Sequence, residues 1–298
     1  MMDDQLDHIT EAFGPGRWPG TVATPPPGVY RHIPAEAYHK WDAMSNSRLK
    51  VLAQQSPKHF KWEMEHPRPQ TKAMRQGTIL HKLCLERFAF AKDFAIAPDG
   101  LNRTARKGWA AFEEANAPKE CLTLAEFNKA VATADALMVH TRARTLLTDG
   151  EPEVSVVWQD DETGVVCKAR LDYLLPPAVG DVKTTADGDE WAFAKATASY
   201  GYYRQAAFYL DGATACGLPV HMFALAVVES EPPHDVYVCT LGARTLLAGR
   251  HGYRKALHEY KACLETNDWP GRHESDVFEL DIPKYALEDE GILIGAEI

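Results

Sequence analysis

Between Glu153 and Thr185 the chain alternates short β-branched and aromatic runs with turn-forming stretches: EVSVVW, QDDETG, VVCKARLDYLL, PPAVG and DVKTT. β-branched and aromatic side chains pack well on a pleated surface, and Asp, Gly and Pro punctuate it, so the text predicts strand, turn, strand, turn, strand. Connections this short join only antiparallel neighbours, because a parallel return needs a crossover of a dozen or more residues. An antiparallel meander is therefore the fixed point around which everything else must be arranged. Downstream, VHMFALAVVE (Val220 to Glu229) is almost continuously apolar, the pattern of a strand covered on both faces. Asp235 to Leu241 reads as an edge strand.

Helical spacing supplies the cover. SNSRLKVLAQQ, from Ser45, opens on side chains able to cap a helix, with Ser45 and Ser47 in that role, and continues with Leu49, Leu52 and Ala53. Thr71 to Phe88 carries Met74, Ile79, Leu80, Leu83, Cys84 and Phe88 on an amphipathic pattern with His81 in its middle. Gly108 to Ala117 and Leu124 to Thr148 read as helices before the meander; Asp189 to Ala198, Tyr202 to Cys216 and Arg244 to Asn267 follow it. The expected class is α/β: a mixed central sheet flanked by helices, behind a mainly helical N-terminal half. Residues 1–29, with GPGRWPG and TPPPG, read as a flexible or extended arm. Residues 30–270 form one domain, with a helical wall (30–150), a core (151–242) and a terminal helix (243–270). In the tail, 271–298, eight acidic residues from Glu274 onward stand against one Lys, which predicts a surface-lying segment.

Composition narrows the class further. With 298 residues, 45% hydrophobic and 25% charged, the chain is neither low-complexity nor disordered, and it is long enough to bury a substantial core. No run of about 18 apolar residues exists, and MMDDQLDH is acidic where a secretory signal would be basic, so membrane insertion and export are not expected. Six scattered cysteines without a CxxC pair read as buried small hydrophobes in a reducing cytoplasm. The net charge of −10 disfavours a polyanion, yet Arg48 to Lys107 holds thirteen Lys/Arg against five Asp/Glu. Such segregation fits either a phosphate-engaging surface or a solvated basic face.

The chemistry concentrates on the meander. On the third strand Asp181 and Lys183 are two apart and share a face, while Val182 points away. The short PPAVG turn folds this strand against the second, whose Asp172 can then approach Asp181. Two converging carboxylates make an oxygen-rich pocket suited to a hard cation, Mg²⁺ or Mn²⁺, with the lysine placed to orient or deprotonate a water and to stabilise charge on a phosphate. A structural ion pair is the plain alternative. In GTILH, His81 lies one helical turn after Gly77, a residue with no side chain, where another backbone or a substrate strand can approach. Gln205 and Tyr209 share one helix face, extended by Tyr202, in a stripe that serves either packing or a site.

In the order GxxxH, D, DxK, QxxxY, these pieces resemble the RecB-like branch of the PD-(D/E)xK nuclease superfamily, and within it the exonuclease VIII (RecE) type of phage recombination exonuclease. The flanking text YHKWDAMSNSRLK, SPKHFKW, TKAMRQGTILHKLCLE, EVSVVWQDDETGVVCKARLDYL, GDVKTT and YYRQAAFYLDG carries the same resemblance over residues 30 to 242. It implies a PD-(D/E)xK restriction-endonuclease-like core; metal ligation by His81, Asp172, Asp181 and the Val182 carbonyl; Lys183 as the catalytic lysine; and Gln205 and Tyr209 as the motif positioning the scissile strand. It implies digestion of one strand of linear duplex DNA, 5′ to 3′, by a ring-like homo-oligomer with a single-strand annealing partner. Leu171 stands where the motif usually has Pro, a residue that supplies no ligand. Glu151 and Glu153 correspond either to an auxiliary acid or to solvated charges at a strand start, and Glu153 is kept as an outer-sphere candidate. The four-cysteine iron–sulfur group of some relatives is not in this sequence. For DNA contacts the expectation falls on Arg48 to Arg75 and above all on Arg103, Arg106 and Lys107, with Trp62 and Trp109 available to stack on a frayed end. Rival readings are an endonuclease or single-strand nuclease of the same fold, and a catalytically silent DNA-binding protein.

Overall fold

The computed structural model describes residues 16–67, 71–85, 87, 90–273, 277 and 279–289. The expected meander is present as β4 (Glu151–Gln159), β5 (Val166–Leu175) and β6 (Ala178–Thr185), each antiparallel to the last. β1 (Gly28–Tyr30) pairs antiparallel with β4 on one side; β7 (Met222–Glu229) runs parallel to β6, and β8 (Val236–Thr240) closes the far edge antiparallel to β7. The result is a six-stranded mixed sheet in the order β1-β4-β5-β6-β7-β8. A short parallel pair, β2 (Phe94–Ile96) with β3 (Glu120–Leu122), lies apart from it.

β7 shows why its sequence is unbroken by polar residues. Phe223, Leu225 and Val227 enter the core on one face, while Ala224, Ala226 and Val228 enter a second core on the other. The first core is completed by α2 (Asn46–Gln54), α3 (Pro57–Glu65), α10 (Tyr202–Ala215) and α11 (Ala243–Thr266), through Leu49, Phe60, Phe208 and Leu257. The second is filled by α4 (Lys72–Leu85), α7 (Leu124–Val139) and α8 (Thr141–Thr148), through Ile79, Leu137 and Leu146. Four further helices are α1 (Ala35–Lys40), α5 (Phe90–Asp93), α6 (Arg106–Asn116) and α9 (Glu190–Tyr200); α12 (Lys284–Asp289) lies in the tail.

Three local expectations differ from what forms. The helix expected over Leu124 to Thr148 is two, because His140 leaves the helical region (ψ 115°) and its ring accepts the Ala143 N–H at 3.2 Å, capping α8. Residues 16–29, expected as part of an arm, are packed: Trp18 is buried against Phe60 and Trp269, Val22 bridges Trp41, and β1 closes the sheet edge. Residues 1–15 of that arm lie outside the described residues, as do 274–276, 278 and 290–298 of the acidic tail. Ser45 stands at the α2 N-cap, but its hydroxyl bonds Ser47 Oγ at 3.0 Å instead of capping, and Ser47 is itself inside the helix. Helix α4 is described as far as Leu85; residues 86, 88 and 89, over which the expected helix would reach Phe88, are outside the described set.

Candidate metal centre

The β5–β6 ladder pairs Tyr173 with Gly180 and then stops. Continuing its register by one residue sets Asp172 opposite Asp181. On the other side of β5, the β4 register would pair Asp172 with Glu153, yet that rung is also open, and Glu153 holds φ +57°, a left-handed conformation that costs a non-glycine residue about 1 kcal/mol or more. Leu171 and Leu174, three apart, both enter the first core, so the two-residue alternation slips between them. Asp172 thus projects from an irregular point in the strand, where its pairing with β6 ends and its rung to β4 is open.

Helix α4 crosses this point and delivers His81. Its Nε2 lies 3.0 Å from the Val182 carbonyl and 4.0 Å from Asp181 Oδ1, and its Nδ1 lies 3.3 Å from Asp172 Oδ2. One ligand atom from each of His81, Asp172 and Asp181 falls within 4.8 Å of the others. Lys183 Nζ stands 2.5 Å from Asp181 Oδ2 and 4.8 Å from the centre of the Tyr202 ring. Asp181 is 1% exposed, and beyond this ion pair neither of its oxygens accepts a hydrogen bond of regular geometry. A buried carboxylate with unclaimed lone pairs, a second carboxylate, an imidazole and a backbone carbonyl make a donor set that fits a divalent cation.

The protonation pattern matches the geometry. Burial and the neighbouring Asp181 hold Asp172 well above the usual carboxylate range. Burial raises Asp181 as well, but Lys183, Asp172 and His81 outweigh it and leave it below its ordinary value. Burial would lower Lys183, yet Asp181 and Asp172 reverse this, so the amine keeps its proton. Burial lowers His81, which favours the neutral, ligating imidazole.

Beside the cluster lies a polar cavity of about 370 Å³, lined by Arg48, Lys168, Arg170, Asp172, Gln205 and Tyr209, with Ser45, Asn46 and Ser47 from the start of α2. Gln205 and Tyr209 share one face of α10 there, and burial pushes the Tyr209 phenol up. Arg48 donates to the Ala43 carbonyl at 2.7 Å, and Arg170 pairs with Glu153 and donates to the Ile33 carbonyl at 2.7 Å. Glu153 is therefore a carboxylate paired with Arg170. Lys168, unremarkable in the sequence, is 2% exposed and donates to the carbonyls of Tyr38 (2.8 Å), Trp41 (2.6 Å) and His39 (3.3 Å). No local pattern could have revealed it, because its partners are about 130 residues away in the chain. Among the described residues a Cβ at Gly77 would meet nothing within 4 Å, so none of them uses that approach.

The basic residues expected to touch DNA are not brought together as a group. Arg75 is hydrogen-bonded to Glu120, to Glu126 (2.8 Å) and to the Cys121 carbonyl (2.7 Å). Arg103 bonds Glu126 at 2.7 Å and lies over the Trp109 ring at 4.7 Å. Arg106 and Lys107 are exposed in the first turn of α6. Trp109 is buried and donates to Glu113, so it does not offer a stacking face; Trp62 is exposed and stacked on His66 at 3.8 Å.

Comparison with known proteins agrees with this architecture. A solved structure from Eubacterium rectale, described provisionally as an exonuclease, superposes with a TM-score of 0.61 over 87% of this chain and 98% of its own, at 14% identity. Another, of SSO0001, is 15% identical over 65% of this chain and 89% of its own, with a TM-score of 0.30. No curated protein matches the sequence. Residues 45–279, which hold every member of the metal-centre cluster, match the model of the PDDEXK-like domain of unknown function (DUF3799), and the chain belongs to that family.

Proposed function

We propose that the protein is a metal-dependent exodeoxyribonuclease that degrades one strand of linear duplex DNA from an end, 5′ to 3′, leaving single-stranded tails for recombination. The observation that carries this reading is the convergence of His81, Asp172 and Asp181 within 4.8 Å, with Lys183 charged alongside. Mg²⁺ or Mn²⁺ held there would supply Lewis acidity toward a phosphate oxygen and a bound water of lowered pKa. Lys183, kept protonated, faces the growing negative charge of a phosphate. Arg48 and Arg170 give the adjoining cavity a positive lining suited to a phosphodiester backbone, and Gln205 and Tyr209 border the same space. Arg106 and Lys107, exposed at the start of α6, would contact the duplex. The motif resemblance supports the finer points: strand direction, a ring-like homo-oligomer and an annealing partner.

The test is end-labelled linear duplex, incubated with Mg²⁺, Mn²⁺ or chelator, beside covalently closed circles. Loss of the 5′ label from linear DNA only, abolished by EDTA and by Lys183→Ala, is expected. Cutting of closed circles would refute the exonuclease reading, and cleavage by Lys183→Ala would refute the site.

A further inference from the structure

At the mouth of the site, α9 ends on Tyr200 and α10 begins on Tyr202, with only Gly201 between them. Gly201 sits at φ +75°, and a Cβ there would also meet the Arg204 guanidinium at 2.7 Å, so glycine is what permits the abrupt reversal. The reversal lays the two phenol rings nearly parallel, 30° apart with centroids at 5.7 Å. Tyr202 is the inner ring, beneath the Lys183 ammonium. Tyr200 is the outer ring, 57% exposed, with Lys50 Nζ 5.8 Å from its centre. Arg204 completes the surroundings, and its Nη2 is buried without a hydrogen-bond partner. Among the described residues no carboxylate pairs with Lys50 or Arg204. A large exposed aromatic face, flanked by uncompensated cations and continuous with the catalytic lysine, is complementary to an anionic chain that carries flat bases.

We propose that Tyr200, with Tyr202, Lys50 and Arg204, forms a subsite for an unpaired nucleotide of single-stranded DNA next to the scissile phosphate, its base stacked on Tyr200 and its phosphates set toward Lys50 and Arg204. The occupant is a single strand because a ring can stack only on a base whose face is free, which a paired duplex does not offer along its length. The inference deepens the nuclease reading and rests on it for the word scissile; the stacking itself needs no metal and no hydrolysis.

The experiment is fluorescence anisotropy of the full chain with a labelled single-stranded oligonucleotide in EDTA, for wild type, Tyr200→Ala and Tyr200→Phe, and with an oligonucleotide carrying abasic sites. Base–aromatic stacking of about 1–3 kcal/mol corresponds to roughly a 5- to 150-fold weakening in Tyr200→Ala, with Tyr200→Phe within about twofold of wild type. Abasic sites should weaken wild type and leave Tyr200→Ala indifferent. Equal binding by all three proteins, or a wild type insensitive to abasic sites, overturns the subsite. Metal-dependent cleavage by wild type is measured separately: its absence beside an intact Tyr200 effect defeats the nuclease reading alone, and its presence beside no Tyr200 effect defeats the subsite alone.

Discussion

Asp172 and Asp181 face each other one residue beyond the last closed rung of the β5–β6 ladder, the Tyr173–Gly180 pair, and beyond its ion pair with Lys183 the buried Asp181 accepts no hydrogen bond of regular geometry. An arrangement of this kind is unfavourable for folding alone, since two carboxylates repel and a buried lone pair left unmet costs about 1–3 kcal/mol. A cation removes both penalties together.

Asp181→Asn therefore separates the two roles of the site. The amide removes one charge and one strong ligand while keeping the shape. Mn²⁺ binding by calorimetry should weaken at least about tenfold, and cleavage should fall by about 10²-fold or more. The thermal midpoint should stay within a few degrees of wild type, because the lost ion pair with Lys183 is offset by relief of the Asp172 repulsion. Unchanged metal affinity would remove Asp181 from the centre.

Much of this was legible in the sequence, and the boundary of legibility is physical. The meander is written in period-two text with turn residues at its corners, so Asp181 and Lys183 could be set on one face before any coordinates. What could not be read depends on contacts distant in the chain. Arg75 and Arg103 look like free cations in a basic stretch; only folding brings Glu120 and Glu126 to them. Glu153 looks like a strand residue, and nothing local announces its left-handed backbone. Trp18, in text rich in Pro and Gly, finds its partners at Phe60 and Trp269.

Glu126 gives a pH dependence of definite sign. Burial raises its pKa, but the Thr123 N–H, Arg103 and Arg75 outweigh that and bring it down to about 2. A carboxylate whose folded value lies below its unfolded value of about 4.3 contributes stability above the latter and loses it as pH falls through the former. Glu126→Gln should then cost about 1–2 kcal/mol at pH 7, after allowance for solvent screening, and almost nothing near pH 2. Urea titrations at the two pH values check it, and equal losses at both would contradict the assignment.

Lys168 acts in a higher pH window. Burial, with Arg48 nearby, lowers its pKa to about 6, so the unfolded chain holds a proton that the folded chain releases above that point. Stability from this residue should rise with pH from about 6 toward the ordinary lysine value near 10.4. Lys168→Met should abolish that rise; at pH 7 the lost donor to the carbonyls of Tyr38, His39 and Trp41 is set against release of the cost of deprotonating a buried lysine, so the slope of stability between about pH 6 and 10 is the quantity to measure. A variant that keeps the wild-type rise would contradict the assignment.

The seating of α10 links packing to chemistry. A Cβ at Gly249, on α11, would lie 2.2 Å from the Tyr203 carbonyl oxygen and 2.9 Å from Ala207 Cβ, so the helices touch backbone to backbone there. Gly249→Ala must push α10 outward, and α10 carries Gln205 and Tyr209 into the cavity beside Asp172. The overpacking should cost about 1–3 kcal/mol, and cleavage should fall further than the folded fraction does, because a displacement of about 1 Å at a positioning group can cost about 10²-fold in rate. Gly77→Ala is the matched control on α4: its Cβ meets nothing within 4 Å among the described residues, and exchanging a helical glycine for alanine should stabilise by about 0.5–1 kcal/mol. If Gly249→Ala lowered stability while leaving the rate per folded molecule untouched, α10 would be packing only, and the place of Gln205 and Tyr209 in the reaction would have to be given up.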